Sequence, residues 1–225
     1  MPTIHPTPAA LLLFLLCLTP TATWAQSSQQ AEWQAYEDAL SRGERQAQIW
    51  HYGWTGIYAT SLAVNAYEAS EADDDDDRFD ARVGTVKSAL ALSGMFLDTQ
   101  PHPAARREFE RLQAAGDLEQ ARDLMREVAA EERARRSWQA RVDSLIVNTL
   151  GGLAIGLGDD RPGDGAISFA TGMLVSELQL RTQPTQAGHA LNRFQPARLS
   201  LGGMHLDYQY AWTLAPNQVG VHIRY

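Results

Sequence analysis

Four stretches of small and apolar residues, at 50–67, 79–98, 143–158 and 166–180, constrain this chain more than any other feature. Gly, Ala, Ser and Thr are interleaved with Leu, Val and Ile in all four, which suits helices that approach one another closely. Each holds only about 14 to 16 residues of apolar character, below the 18 or more expected of a membrane span. The reading favoured is therefore a soluble or peripherally attached core. Small residues four apart, such as Gly152 and Gly156 or Ala59 and Ala63, keep partial membrane insertion as its competitor.

Charge-dense sequence separates these stretches. Residues 104–142 are dominated by Arg and Glu, and Gly116-Asp117 supplies a turn followed by an N-cap. The spacing predicts a helical hairpin with one narrow apolar stripe per arm, including Phe109, Leu112, Leu118, Met125 and Val128, and a mostly wet surface. Residues 26–48 predict one amphipathic helix carrying Trp33, Tyr36, Ala39 and Leu40 on one face.

From Glu177 the pattern shifts to a period of two, and residues 204–214 alternate apolar and polar without a break. A turn at 215–218 then leads to Val219, Val221, Ile223 and Tyr225. The fold class expected is α+β and mainly helical: four small-residue helices (a core of 26–98 and 143–176), an inserted charged hairpin at 104–142, and a small C-terminal antiparallel sheet over 177–225. The last ten residues resemble the C-terminal signature of outer-membrane barrels, but two strands are far fewer than a single-chain barrel needs. No repeat of the kind that marks solenoids is found.

Residues 9–18 form an apolar run of signal-peptide length, followed by Thr23-Trp24-Ala25, which predicts a leader over 1–25 and export to the periplasm or outer envelope of a bacterium. Residues 1–8 contain no Lys or Arg, a departure from the usual leader. Cys17 is the only cysteine, so a chain cleaved after Ala25 has no disulfide, thiolate ligand or cysteine nucleophile. The formal charge of -8, with arginines interleaved among glutamates, argues against a nucleic-acid binder.

Catalytic motifs are missing from the sequence. Asp73, Asp75 and Asp77 begin like a calcium loop, but Arg78 and Gly84 stand where Gly and Glu are required, so a solvated acidic loop is expected and no metal site. No cofactor is expected either. Lys87, the only lysine beside eighteen arginines, lies within an apolar stripe. Each apolar stretch carries one polar group, Asn65, Lys87, Asn148 or Glu177. These define a candidate ligand site, lined by Trp54, Tyr58 and Asn65 with Lys87 holding an anionic head group.

The function expected is that of an exported, non-enzymatic envelope protein that binds a protein partner or a membrane surface and forms a homo-oligomer in one version. A small-molecule or lipid site around Lys87 is the first alternative. Acid–base or hydrolytic chemistry using Lys87, Glu177 and Asn148 is the second.

Overall fold

The computed structural model describes the backbone of residues 21–193, 195–201, 204–215 and 218–224, and the side chains of 29–193. Helix α1 (Thr21–Glu71) is followed by α2 (Asp75–Leu97), α3 (His102–Ala115), α4 (Leu118–Ala134) and α5 (Gln139–Leu153). A π-helical turn (Ala154–Gly158), α6 (Pro162–Arg181) and α7 (Gln186–Asn192) complete the body. Of residues 29–193, 87% are helical and none is a strand.

Over the residues whose side chains are described, this overturns the α+β expectation. Residues 177–181, expected as strand, are the last turn of α6, where Glu177 accepts from Arg181 Nε at 2.7 Å across one helical turn. Alternation over five residues does not separate the two states when the charged positions also fit an i, i+4 pair. Of the hairpin expected at 204–225 the backbone alone is described, as strands Met204–Ala215 and Gln218–Arg224 with Trp212 opposite Val221.

The helices form two bundles stacked end to end along α1, whose 51 residues span roughly 77 Å at 1.5 Å each. The first bundle, the head, joins the first half of α1 to α3, α4 and α7. Tyr36, Leu40, Phe109, Leu112, Met125 and Val128 are buried there, and Trp33 packs edge-on against Phe109 with ring centroids 5.4 Å apart. The second bundle joins the latter half of α1 to α2, α5 and α6, and its buried apolar cluster is small: Trp50, Tyr58 and Met95.

This division reverses the expected roles. The hairpin of α3 and α4 forms with Gly116 left-handed at φ 73° and Asp117 capping Gln120 N, as the turn chemistry dictates. Its stripes are narrow but aligned, and with α1 and α7 they enclose the drier core. The small-residue helices are the poorly buried ones.

The architecture also contains a tandem duplication. Ser-Leu-x-Val-Asn occurs at 61–65 and 144–148, Asp-Asp-Arg at 76–78 and 159–161, and Thr-Gln-Pro at 99–101 and 182–184, each pair 83 residues apart (144 − 61, 159 − 76, 182 − 99). Equivalent contacts recur. Asn65 Nδ2 donates to Ser61 O at 2.6 Å, and Asn148 Nδ2 to Ser144 O at 2.8 Å. Each unit contributes two helices to the head and one helical pair to the second bundle. Both turns of those pairs lie at one end, where Arg161 reaches Asp80 and the Asp76 carbonyl. The units are therefore parallel, related by an axis along the bundle.

Within the second unit, α5 and α6 touch through backbone. A Cβ on Gly165 would lie 2.7 Å from Gly156 N and 2.8 Å from its Cα. Gly165→Ala must force the pair apart and is expected to cost about 1–3 kcal/mol, measurable as a lowered unfolding midpoint, because backbone cannot yield as a flexible side chain does. An unchanged midpoint would contradict this packing.

Candidate functional site

The two helical pairs of the second bundle leave a cavity of about 850 Å³ between them. Its position follows from the duplication: each pair packs closely within itself, whereas the pairs meet mainly at their ends. At the head end, Trp50 Nε1 donates to Gln179 O at 2.9 Å and Tyr58 OH to Gln179 Oε1 at 2.9 Å. At the far end, Arg161 joins Asp159 to Asp80. Between these clamps the small side chains leave space.

Four of the six sequence-predicted site residues, Tyr58, Asn65, Lys87 and Asn148, border this cavity. Lys87 crosses from α2 to α6, where Nζ lies 3.3 Å from Ser168 O and 3.4 Å from Ser168 Oγ. Its stem runs over Gly151, where a Cβ would meet Lys87 Cδ at 2.9 Å, and its ammonium lies 3.0 Å from the Cβ position of Gly172. Asn148 presses on the same Gly172. The remaining two stand elsewhere. Trp54 donates to Thr182 Oγ1 at 3.1 Å and packs on Tyr58, with no border on the cavity. Glu177 is held by Arg141, whose Nε and Nη2 donate to its two oxygens at 2.9 Å. Lys87 and Glu177 therefore do not form the acid–base pair that the enzymatic alternative requires.

The acidic run at 73–77 has a local structural role. Asp74 Oδ1 accepts from Asp76 N at 2.8 Å and caps α2, and Asp75, Asp76 and Asp77 occupy its first turn, where the helix dipole favours negative charge. Among the described residues no cluster of three or more His, Cys, Asp or Glu side chains is arranged to hold a metal ion. Residues 68–82 and 159–164 together carry eleven carboxylates against three guanidiniums, so the formal -8 of the chain is matched by the excess at this one end.

The outside of the second bundle is the second notable surface. Every large apolar side chain that stands exposed among the described residues lies at 49–97 or 138–178, and none lies in the head. All four helices contribute: Ile57 and Val64 from α1, Val86 and Leu90 from α2, Ile146 and Leu150 from α5, Ile167 and Leu174 from α6. Charge is missing from the sequence over 46–67, 144–158 and 165–176, and Lys87 is the sole charge over 83–97. Asn148, 4% exposed, and Ser88, 8% exposed, are turned inward.

Sequence reasoning missed a buried pair in the head. His102 Nε2 lies 2.9 Å from Glu132 Oε1, with 1% and 4% of the two side chains exposed. Glu132 also accepts from Ala187 N at 2.9 Å and Gly188 N at 2.8 Å, capping α7. Burial pushes its carboxyl upward, but the His102 hydrogen bond and the two amides outweigh burial and hold it below the usual carboxylate range.

Searches against protein-family models, curated proteins and solved structures found nothing that matches the chain. The functional reading rests on the geometry above.

Proposed function

We propose that this chain is a non-enzymatic, membrane-seated protein of the cell envelope, with the second bundle in lipid and the head in water. The observation that carries the reading is the inversion between the two bundles. The head buries its apolar side chains and presents Arg and Glu, whereas the second bundle presents apolar side chains on all four helices and turns amides, hydroxyls and a lysine inward. A large exposed apolar surface marks a contact site. A twofold contact with another copy covers one patch; a belt contributed by four helices is covered in full by lipid.

The dimensions support the same reading. The helical segments of the second bundle run about 20–23 residues, or roughly 30–35 Å, close to the thickness of a bilayer hydrocarbon core. Hydropathy alone is a poor guide here. Among the described residues only the helical stretch Leu118–Gly158 contains a window long and apolar enough to cross a membrane. Buried or half-buried polar residues such as Asn65, Ser88 and Ser168 lower the average of the other segments.

Alkaline carbonate washing of membranes from cells producing the full chain tests the proposal. The chain is expected to stay in the pellet and to enter solution only with detergent. Release by carbonate as a discrete oligomer would replace lipid with a second copy as the cover of the apolar belt, and release as a monomer would overturn the reading.

A further inference from the structure

Lys87 is the only lysine of the chain, and among the described residues no carboxylate pairs with it. Its surroundings are neutral: Ser168, Asn148, and the backbone faces at Gly151 and Gly172. The carboxylates that border the same cavity are engaged or distant. Asp80 and Asp164 bind Arg161, and Asp98 binds Arg135. Asp143 is eight residues before Gly151 on α5, roughly 12 Å along the axis. A half-buried ammonium without a counter-charge is partly desolvated at a cost, and an anion entering beside it offsets that cost.

The duplication supplies an independent argument. Position 87 in the first unit corresponds to Ala170 in the second, 83 residues on. The asparagines and the Thr-Gln-Pro turns occur in both units, as the fold of each pair requires. A lysine present in only one of them is not demanded by that fold. Parallel repeats enclosing a polar site midway along their helices are a recurrent arrangement for ligand binding within membranes.

We propose that Lys87 anchors the oxyanion head group of an amphiphile, with Asn65, Asn148 and Ser168 offering further polar contacts. The apolar chain of the ligand leaves past Ile57, Leu90 and Ile167, which both border the cavity and stand exposed. The inference rests on the membrane-seated reading for where that chain goes.

The test uses the full chain in a mild nonionic detergent, titrated with dodecyl phosphate and, separately, with inorganic phosphate, and read by isothermal titration calorimetry. Saturable binding of dodecyl phosphate is expected, weakened at least tenfold in Lys87→Met, with inorganic phosphate binding at least tenfold more weakly than the amphiphile. Equal binding by wild type and Lys87→Met, or no saturable binding, overturns the site. Inorganic phosphate binding as tightly as dodecyl phosphate overturns the amphiphile and leaves a free oxyanion as ligand. An unchanged unfolding midpoint in Lys87→Met shows that lost binding is not lost folding; if that variant is unstable, Lys87→Gln and Ser168→Ala are expected to weaken binding instead, and neither doing so overturns the site. Flotation with phospholipid vesicles keeps the two readings apart: wild type that floats without binding refutes the lysine site alone, and wild type that binds without floating refutes the membrane seat.

Discussion

Replacing Glu132 by alanine is expected to destabilise the head by about 3–5 kcal/mol, since it strands three donors at once and each buried donor left without its acceptor costs about 1–3 kcal/mol. The loss has three parts. His102 keeps a fully buried ring without its partner, Ala187 and Gly188 lose the acceptor for their amides, and α7 loses this cap at its N-terminus. His102 has little room to adjust, since its ring fills the space that a side chain at Gly43 would occupy. Chemical denaturation of the full chain in detergent, followed by circular dichroism, reads the effect. A shift below 1 kcal/mol would show that the pair is not buried as described. The pH dependence has a definite sign. The folded carboxyl of Glu132 is held below its unfolded value, so its contribution is complete above the unfolded value, about 4.3, and is lost as pH falls through the folded one. Wild type is expected to lose head stability below about pH 4.5, and Glu132→Gln to lose less over the same interval.

Introducing arginine at both Val86 and Leu150 is expected to release the chain from membranes while leaving the head folded. Both side chains stand on the outer face of the second bundle, 60% and 62% exposed. If water faces them, two arginines cost little, because surface substitutions usually stay within about 0.5 kcal/mol. If lipid faces them, each arginine costs about 2.5–3.5 kcal/mol near the middle of the bilayer. Retention in carbonate-washed membranes should fall by more than tenfold, with the head's denaturation midpoint unchanged. Gln120→Arg, on the exposed face of α4, is the control and should change neither. Normal retention of the double variant would count against lipid contact at these positions.

The helical hairpin within 104–142 was legible from its Gly-Asp turn and its i, i+3, i+4 stripes, whereas 50–67, expected as a separate helix packed on 26–48, instead continues it as the single helix Thr21–Glu71. Which bundle is dry was not legible. Composition made 50–67 and 143–158 look like core, but their polar residues face one another across a cavity, and periodicity does not reveal which side of an all-apolar helix meets protein. Glu132 carried a readable signal. Leu118, Ala121, Met125, Val128 and Glu132 advance by three and four, so the carboxylate extends a buried stripe. Glu32 does the same before Tyr36, and is buried, taking the Tyr36 hydroxyl at 2.8 Å and Arg122 Nε and Nη2 at 2.7 Å. The duplication was written in Ser-Leu-x-Val-Asn and Thr-Gln-Pro, but its period of 83 residues is longer than the 20 to 50 of solenoids. Glu177 was misplaced because a two-residue alternation and an i, i+4 ion pair share the same letters.

The inverted bundle is tested most directly by single spin labels placed, in a Cys17→Ser background, through Cys substitutions at Val86, Leu150 and Leu174, with Arg126 on the head for comparison, in the vesicle-reconstituted chain. Collisions with dissolved oxygen should dominate at the three bundle positions and collisions with a water-soluble nickel complex at position 126. Nickel contact at 86, 150 and 174 as frequent as at 126 would place those side chains in water and contradict the account.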